Sequence, residues 1–468
     1  MSRKLKLYHR LPYPMRALAA TLYGYSLHRW RYSRETDRFI ERALERESWS
    51  NKEWQAWQEE RLAYILHRAA TKVPFYQELW AARRRNGDRV SWEVLGNWPI
   101  LKKESLRLHG QAFVADDCDI HKMYIDSTSG TTGKPVRIWL SRETTQQWYA
   151  LWDARTRSWN GVSRNDRWAM LGGQLVVPFS QTQPPYWVWN GALDQLYLSA
   201  YHIGPDYVPD YLEAIRKHRI KYMLGLASSM HALAHIALEK GLETPEIQVA
   251  ISNGEPLYPH RREAISKAFG CPVRDTYGMV EIVAAASECQ EGSMHFWPEA
   301  GFVEVLQDEG SIPVQIGQTG RFICTGLMNA DMPLIRYEVG DRGSIAAIEG
   351  RCGCERSLPL MKNLDGRHDD VVMTRDGRWV GCVDAVLKAD LPIQEAQIIQ
   401  ESLENIRIRF IPATGFGREH EISIVEGVCE RLGDVNVILD PVSSIPRSAN
   451  AKSRVIISLL KNSQPNSS

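Results

Sequence analysis

The feature that most constrains the fold is an alternation in the middle of the chain. Trp168–Leu171, Tyr222–Leu226 and Ile247–Ser252 are short and almost wholly apolar. Runs of that length suit strands covered on both faces rather than buried helices. Helical patterns near 228–240 and 259–269 follow the second and third runs. Strand followed by helix, repeated, predicts an α/β domain built round a largely parallel sheet.

The flanks read differently. Trp54, Trp57, Leu62, Ile65, Leu66 and Ala69 recur at helical spacing, so residues 36–70 predict a helix that Pro74 stops. From Gly301 to Ala347 the apolar runs shorten and turn signals multiply, which predicts a β-rich subdomain over about 285–360. Near 366 the pattern shifts again. A hairpin over Val371–Val380, a strand over Ile406–Ile411, a helix near 417–432 and a strand over Val435–Leu439 predict a small α+β domain. The expected plan is an arm at 1–35, a large α/β domain at 36–365, a small C-terminal domain at 366–461 and a disordered polar tail at 462–468.

Between two predicted strands lies a loop of unusual chemistry: Ser127, Thr128, Ser129, Gly130, Thr131, Thr132, Gly133, Lys134 and Pro135. The glycines let several N–H groups turn toward one anion, the hydroxyls add donors and the lysine adds charge. It is not a Walker loop, because Pro135 stands where Ser or Thr would follow the lysine and open a helix. A kinase-like or Walker-type ATPase is disfavoured on that ground.

This loop resembles the signature of the acyl-adenylate-forming (ANL) superfamily, and the chain is most similar to its phenylacetate–CoA ligase branch, especially the CapK-like members. Tyr8–Pro12, the helix bearing Gln58 and Val73–Tyr76 support that branch. The resemblance implies a large N-terminal domain and a small mobile C-terminal one. It also implies ATP and AMP as nucleotides, Mg²⁺, and a carboxylic acid joined to a thiol of CoA or of a carrier protein; an amine or hydroxyl acceptor stays open.

It further assigns roles by position. Tyr277–Glu281, preceded by Thr276, is similar to a motif whose ring flanks adenine and whose glutamate helps hold Mg²⁺. That places Thr276, Tyr277 and Gly278 at the nucleotide and Glu281 at the metal, a task carboxylate oxygen suits. Val280 replaces the usual hydroxyl. Asn253, Gly254, Glu255 and Pro256 follow a predicted strand, where open α/β sheets bind ligands. Asp341 resembles the residue that accepts from both ribose hydroxyls. Arg367 would meet nucleotide and Asp369 would be the hinge. Lys452, in a segment similar to the family's C-terminal lysine motif, would be catalytic with Lys134 and Glu281, reaching the α-phosphate as charge gathers there. Ala451 stands where that motif has glycine. Val280 and Ala451 also favour a rival reading, a catalytically degenerate nucleotide-binding scaffold of a membrane-associated polysaccharide pathway.

Cys289, His295, Cys352 and Cys354 supply three thiolates and one imidazole, a familiar closed zinc set, although their spacing matches no strict finger. Relatives in the branch carry cysteines and a histidine at similar places, so a structural Zn²⁺ is expected.

Charge and hydropathy bound the partners. A formal net charge of +1 exerts no global pull toward nucleic acid. No apolar run approaches the roughly 20 residues that span a bilayer. Ala17–Tyr25 is too short for a signal peptide, so a cytoplasmic protein with reduced cysteines is expected. Residues 1–34, however, hold eight Lys or Arg and no acid, with tyrosines and a tryptophan interleaved. Such an arm either rests on an anionic membrane or packs on the body with its charges solvated.

Overall fold

The computed structural model describes residues 3–127, 136–307, 310–346, 352–365, 372–376, 379–380, 383–388, 391–443, 445 and 456–460. Helices open the chain: α1 (Arg3–His9), α2 (Tyr13–Arg31) and α3 (Arg34–Glu45). The single helix predicted over 36–70 is two. The break lies before Ser50, whose hydroxyl accepts from the Glu53 N–H while the Glu53 carboxylate accepts from the Ser50 N–H at 2.7 Å. That reciprocal cap starts α4 (Asn51–Lys72) afresh. That helix ends at Lys72, just before Pro74 as expected, and Pro74 opens α5 (Pro74–Arg85), as proline can at a first helical position. A short α6 (Lys103–His109) follows.

Strands β1 (Tyr124–Ser127) and β2 (Arg137–Leu140) pair antiparallel and lead into α7 (Arg142–Trp152). The predicted parallel sheet is present. It comprises β3 (Trp168–Gly172), β4 (Trp187–Asn190), β5 (Gln195–Ser199), β6 (Tyr222–Gly225), β7 (Val249–Ser252) and β8 (Val273–Arg274), in the order β4-β5-β3-β6-β7-β8. Only the edge pair β4/β5 is antiparallel. Helices α8 (Val208–Lys217), α9 (Ala227–Glu239) and α10 (Pro259–Phe269) cover it. Residues of β6 and β7 are buried on both faces, which is why their runs are continuously apolar.

The β-rich region is a seven-stranded antiparallel sheet. Its strands are β9 (Thr276–Gly278), β10 (Ala285–Glu288), β11 (Met294–Phe296), β12 (Gly301–Leu306), β13 (Gly320–Gly326), β14 (Tyr337–Ile345) and β15 (Leu360–Asp365). They run in the order β12-β13-β14-β15-β11-β10-β9. Beyond it come the hairpin β16 (Val372–Met373) and β17 (Trp379–Val380), then β18 (Ile393–Gln400), β19 (Asn405–Pro412), α11 (Arg418–Leu432), β20 (Asn436–Pro441) and β21 (Ile456–Ser458). These last strands form a four-stranded sheet against which Ile424, Val428 and Leu432 of α11 pack at helical spacing. Tyr201 joins this core from the large body, beneath the Arg431 guanidinium.

The predicted arm does not stand apart. Thr21 Oγ1 accepts from the Gly191 N–H at 3.0 Å, and Trp30 Nε1 donates to Thr145 Oγ1 at 3.2 Å on α7. Gly24 lies so close to the Asn190 side chain on β4 that a Cβ there would collide with it.

A tighter approach binds the antiparallel sheet to its support. A Cβ on Gly301 would sit 1.8 Å from the Val283 carbonyl oxygen and 2.9 Å from that of Thr325, both backbone atoms that cannot swing aside. Gly301→Ala is therefore expected to destabilise the protein by about 2 kcal/mol or more, seen as a lowered melting temperature, whereas alanine at exposed Gly96 should leave it unchanged.

Candidate active site

The two large sheets meet at one residue. β8 ends at Arg274, β9 begins at Thr276, and only Asp275 lies between. Thr276 Oγ1 donates to the Ser252 carbonyl at 2.7 Å in the interior, pinning the end of β7 to the start of β9. After β7 the Asn253 N–H donates to the Gly225 carbonyl at 2.9 Å, and Gly254 turns the chain at φ +81°. The Glu255 carboxylate then accepts from the Ser228 N–H at 2.8 Å, on the first turn of α9, where a carboxylate satisfies an orphan donor.

On the antiparallel side, Tyr277 Oη donates to Asp341 Oδ2 at 3.1 Å. Glu281 is buried. Its Oε1 accepts from Tyr337 Oη at 2.8 Å and lies 3.4 Å from Lys103 Nζ. Tyr337 and Asp341 both belong to β14, so one strand supplies the hydroxyl that bonds Glu281 and the carboxylate that accepts from Tyr277 of β9.

These residues face one cavity of about 1400 Å³. Asn253, Gly254, Glu255, Pro256, Thr276, Tyr277, Gly278, Glu281 and Asp341 all line it. Ser127 is not among its walls, although Tyr124 and Asp126 of the same strand are. Thr128, Ser129, Gly130, Thr131, Thr132, Gly133, Lys134, Arg367, Asp369 and Lys452 lie outside the described residues. Away from the nucleotide candidates the cavity becomes an aromatic chamber, walled by Trp148, Tyr149, Trp152, Trp168 and Tyr124 and roofed by Tyr8, Tyr23, Leu27 and Trp30 of the N-terminal helices. Sequence reasoning had no handle on Lys103 or on this roof. A lone lysine 178 residues from its glutamate carries no signal, and a basic, aromatic arm does not show which of its side chains turn inward.

Burial shapes the acids around the cavity. Desolvation raises the Asp126 carboxyl. It raises Asp275 further, to about 7, with repulsion from Glu288 adding to it while the Thr276 N–H opposes it.

Below the antiparallel sheet, Cys289, His295, Cys352 and Cys354 converge, with one ligand atom of each lying within 4.8 Å of the others. Cys289 Sγ is 3.5 Å from Cys352 Sγ, and Cys354 Sγ is 3.3 Å from His295 Nε2. His295 Nδ1 faces the Leu358 carbonyl at 3.2 Å, a bond that leaves Nε2 as the ligating nitrogen. Donor type, spacing and burial fit a tetrahedral thiolate–imidazole site.

Glu281, Asp341 and Tyr277 thus share one cavity at the place where the two sheets meet. Residues 55–328 match the AMP-binding enzyme family. The chain belongs to that family. Residues 372–459 match the CapK C-terminal domain, which sets the chain in the CapK and phenylacetate–CoA ligase branch. Protein CapK of Staphylococcus aureus is 24% identical over 83% of this chain and 85% of its own length. The phenylacetate-coenzyme A ligase of Thermus thermophilus is 26% identical over 87% of this chain and 96% of its own. In fold the chain resembles 2-hydroxyisobutyryl-CoA ligase in complex with 2-HIB-AMP and CoA, with a TM-score of 0.56 and 21% identity, covering 88% of this chain and 91% of that one.

The Asp275 shift has a measurable consequence. Its folded pKa of about 7 lies above the unfolded value of about 3.9, so the stability it contributes is complete below about pH 4 and lost as pH rises through 7. Thermal melts between about pH 5 and about pH 8 should show Asp275→Asn gaining stability on the wild type as pH rises. A constant difference across that range would mean that Asp275 is ionised throughout.

Proposed function

We propose that the chain is an AMP-forming ligase. It adenylates a carboxylic acid with release of pyrophosphate and passes the acyl group to a thiol, with CoA ahead of a carrier protein. The observation that carries this reading is the convergence of Glu281, Asp341, Tyr277 and the Asn253–Pro256 turn on one cavity. A relative named for CoA ligation and a fold neighbour solved with an acyl-adenylate and CoA support it.

The residues divide the work as follows. Asp341, on a carboxylate already oriented by Tyr277 Oη, would accept the ribose hydroxyls. The Asn253–Pro256 turn and the Tyr277 ring would enclose the base. Glu281 would hold Mg²⁺, a hard cation that shares the phosphate charge and often takes only one or two protein carboxylates. Lys134 and its loop would hold the leaving phosphates, and Lys452 would stabilise the charge that builds as the carboxylate attacks. Arg367 would meet the nucleotide, and Asp369 would be the hinge on which the small domain turns between half-reactions. The aromatic chamber would exclude water from the acid, and its size suits a bulky apolar or aryl body.

Pyrophosphate exchange over a panel of acids tests this. Bulky apolar acids should support exchange at least about tenfold faster than acetate. Lys452→Ala should lower it about a hundredfold or more, and Asp341→Ala should raise the KM for ATP. ATP binding without exchange for any acid would defeat the proposal.

We also propose that Cys289, His295, Cys352 and Cys354 hold a structural Zn²⁺. Protein purified without a polyhistidine tag should contain about one equivalent of zinc by metal analysis. Cys289→Ser should lose the metal and melt at lower temperature.

A further inference from the structure

Helix α2 shows apolar side chains both to the cavity and to solvent. Ala20, Tyr23, Leu27 and Trp30 line the cavity, Tyr23 while staying 61% exposed, and Gly24 lies against β4. The third face carries Met15, Leu18, Leu22, Tyr25 and Arg29 at spacings of three and four residues, a continuous outward stripe. Met15, Leu18, Leu22 and Tyr25 are 51–61% exposed, and Leu7 of α1, at 65%, extends the patch. Single exposed leucines mean little, but a ribbon of them rimmed by charge marks a contact surface.

The segment that carries the stripe holds bases and no acid. Residues 1–34 hold eight of the chain's 57 bases and none of its 56 acids. The rest of the chain therefore carries 49 bases against 56 acids and is net acidic. Arg10, Arg29 and Arg34 are exposed at the borders of the stripe. The longest segment without an acid is thus the one that also exposes a ribbon of aliphatic side chains.

We propose that the outward face of α1–α2 docks on an anionic lipid bilayer. The stripe of Met15, Leu18, Leu22 and Tyr25 enters the headgroup boundary, and the flanking arginines meet lipid phosphates. Charge complementarity selects this occupant. A second copy of the chain would set two strongly basic, acid-free faces against each other. A nucleic acid would satisfy the arginines but leave the aliphatic ribbon in water. Among the described residues no helix is long and apolar enough to cross a membrane, so the contact is peripheral. This inference does not depend on the proposed ligase activity. It does place the roof of the aromatic chamber beside the bilayer.

Co-sedimentation of the full chain with vesicles tests the proposal. Binding is expected to vesicles of phosphatidylcholine mixed with phosphatidylglycerol, weakly if at all to phosphatidylcholine alone, and to fall as salt rises. Leu18→Glu/Leu22→Glu should lower partitioning at least about tenfold. Arg10→Glu/Arg29→Glu should abolish the preference for anionic lipid. Both variants should keep the wild-type circular dichroism spectrum. Equal binding of wild type and variants, or no binding to anionic vesicles, would overturn the proposal. So would a wild-type dimer dissolved by the leucine changes, or capture of polyuridylate RNA that survives them.

Discussion

The architecture turns on the buried hydrogen bond from Thr276 Oγ1 to the Ser252 carbonyl. A parallel sheet ends its central strands in turns, and an antiparallel sheet presents side chains from its strand faces. Neither alone encloses a nucleotide. Because a single residue separates β8 from β9, the chain passes from one sheet to the other without slack, and the threonine fixes the angle of passage. The Asn253–Pro256 turn from the first sheet and Tyr277, Glu281 and Asp341 from the second then share one cavity. Asp275, the linking residue, bears the cost: its carboxyl is desolvated at the joint and pushed up to about 7.

The N-terminal helices complete what the sheets leave open. Arg16 is buried where α2 meets the body, and its charged form is disfavoured there by desolvation. A fully solvated arm would not hold an arginine in that way. Trp30, bonded to Thr145, and the contact of Gly24 with Asn190 hold the helix at a fixed depth over the sheet edge. At that depth Tyr23 and Leu27 reach the chamber, so this element contributes to the shape of the acyl side as well as to the surface.

What was legible in the sequence follows from which signals are local. Continuous apolar runs report strands buried on both faces, so the runs match β3, β6 and β7 to within two residues. The turn after β7 and the motif round Glu281 could be named because each is compact in sequence. Lys103, Tyr8 and Leu27 could not, because their only connection to the site is spatial. The split between α3 and α4 was missed for a different reason. Helical periodicity runs on through the break, and only the Ser50–Glu53 cap, a three-residue feature, signals it.

The most telling local geometry surrounds Glu281. Among non-glycine residues in the left-handed region, Ile282 (φ +53°) directly follows Glu281, and Arg336 (φ +49°) directly precedes Tyr337, whose hydroxyl bonds that same glutamate. A β-branched residue there is costly, and each such residue stores about 1–3 kcal/mol. The surroundings hold both in place. Ile282 is buried in the main core, and its N–H donates to the Met279 carbonyl at 3.1 Å. Arg336 is buried, with its guanidinium donating to Glu304 at 3.0 Å and to the Trp98 carbonyl at 2.9 Å, and its own N–H donating to Thr325 Oγ1 at 3.0 Å. The two left-handed residues flank the two ends of one hydrogen bond, Tyr337 Oη to Glu281 Oε1. Their placement is explained if the position of the Glu281 carboxylate must be set from two directions, from its own backbone and through Tyr337, so that it meets its ligand already oriented.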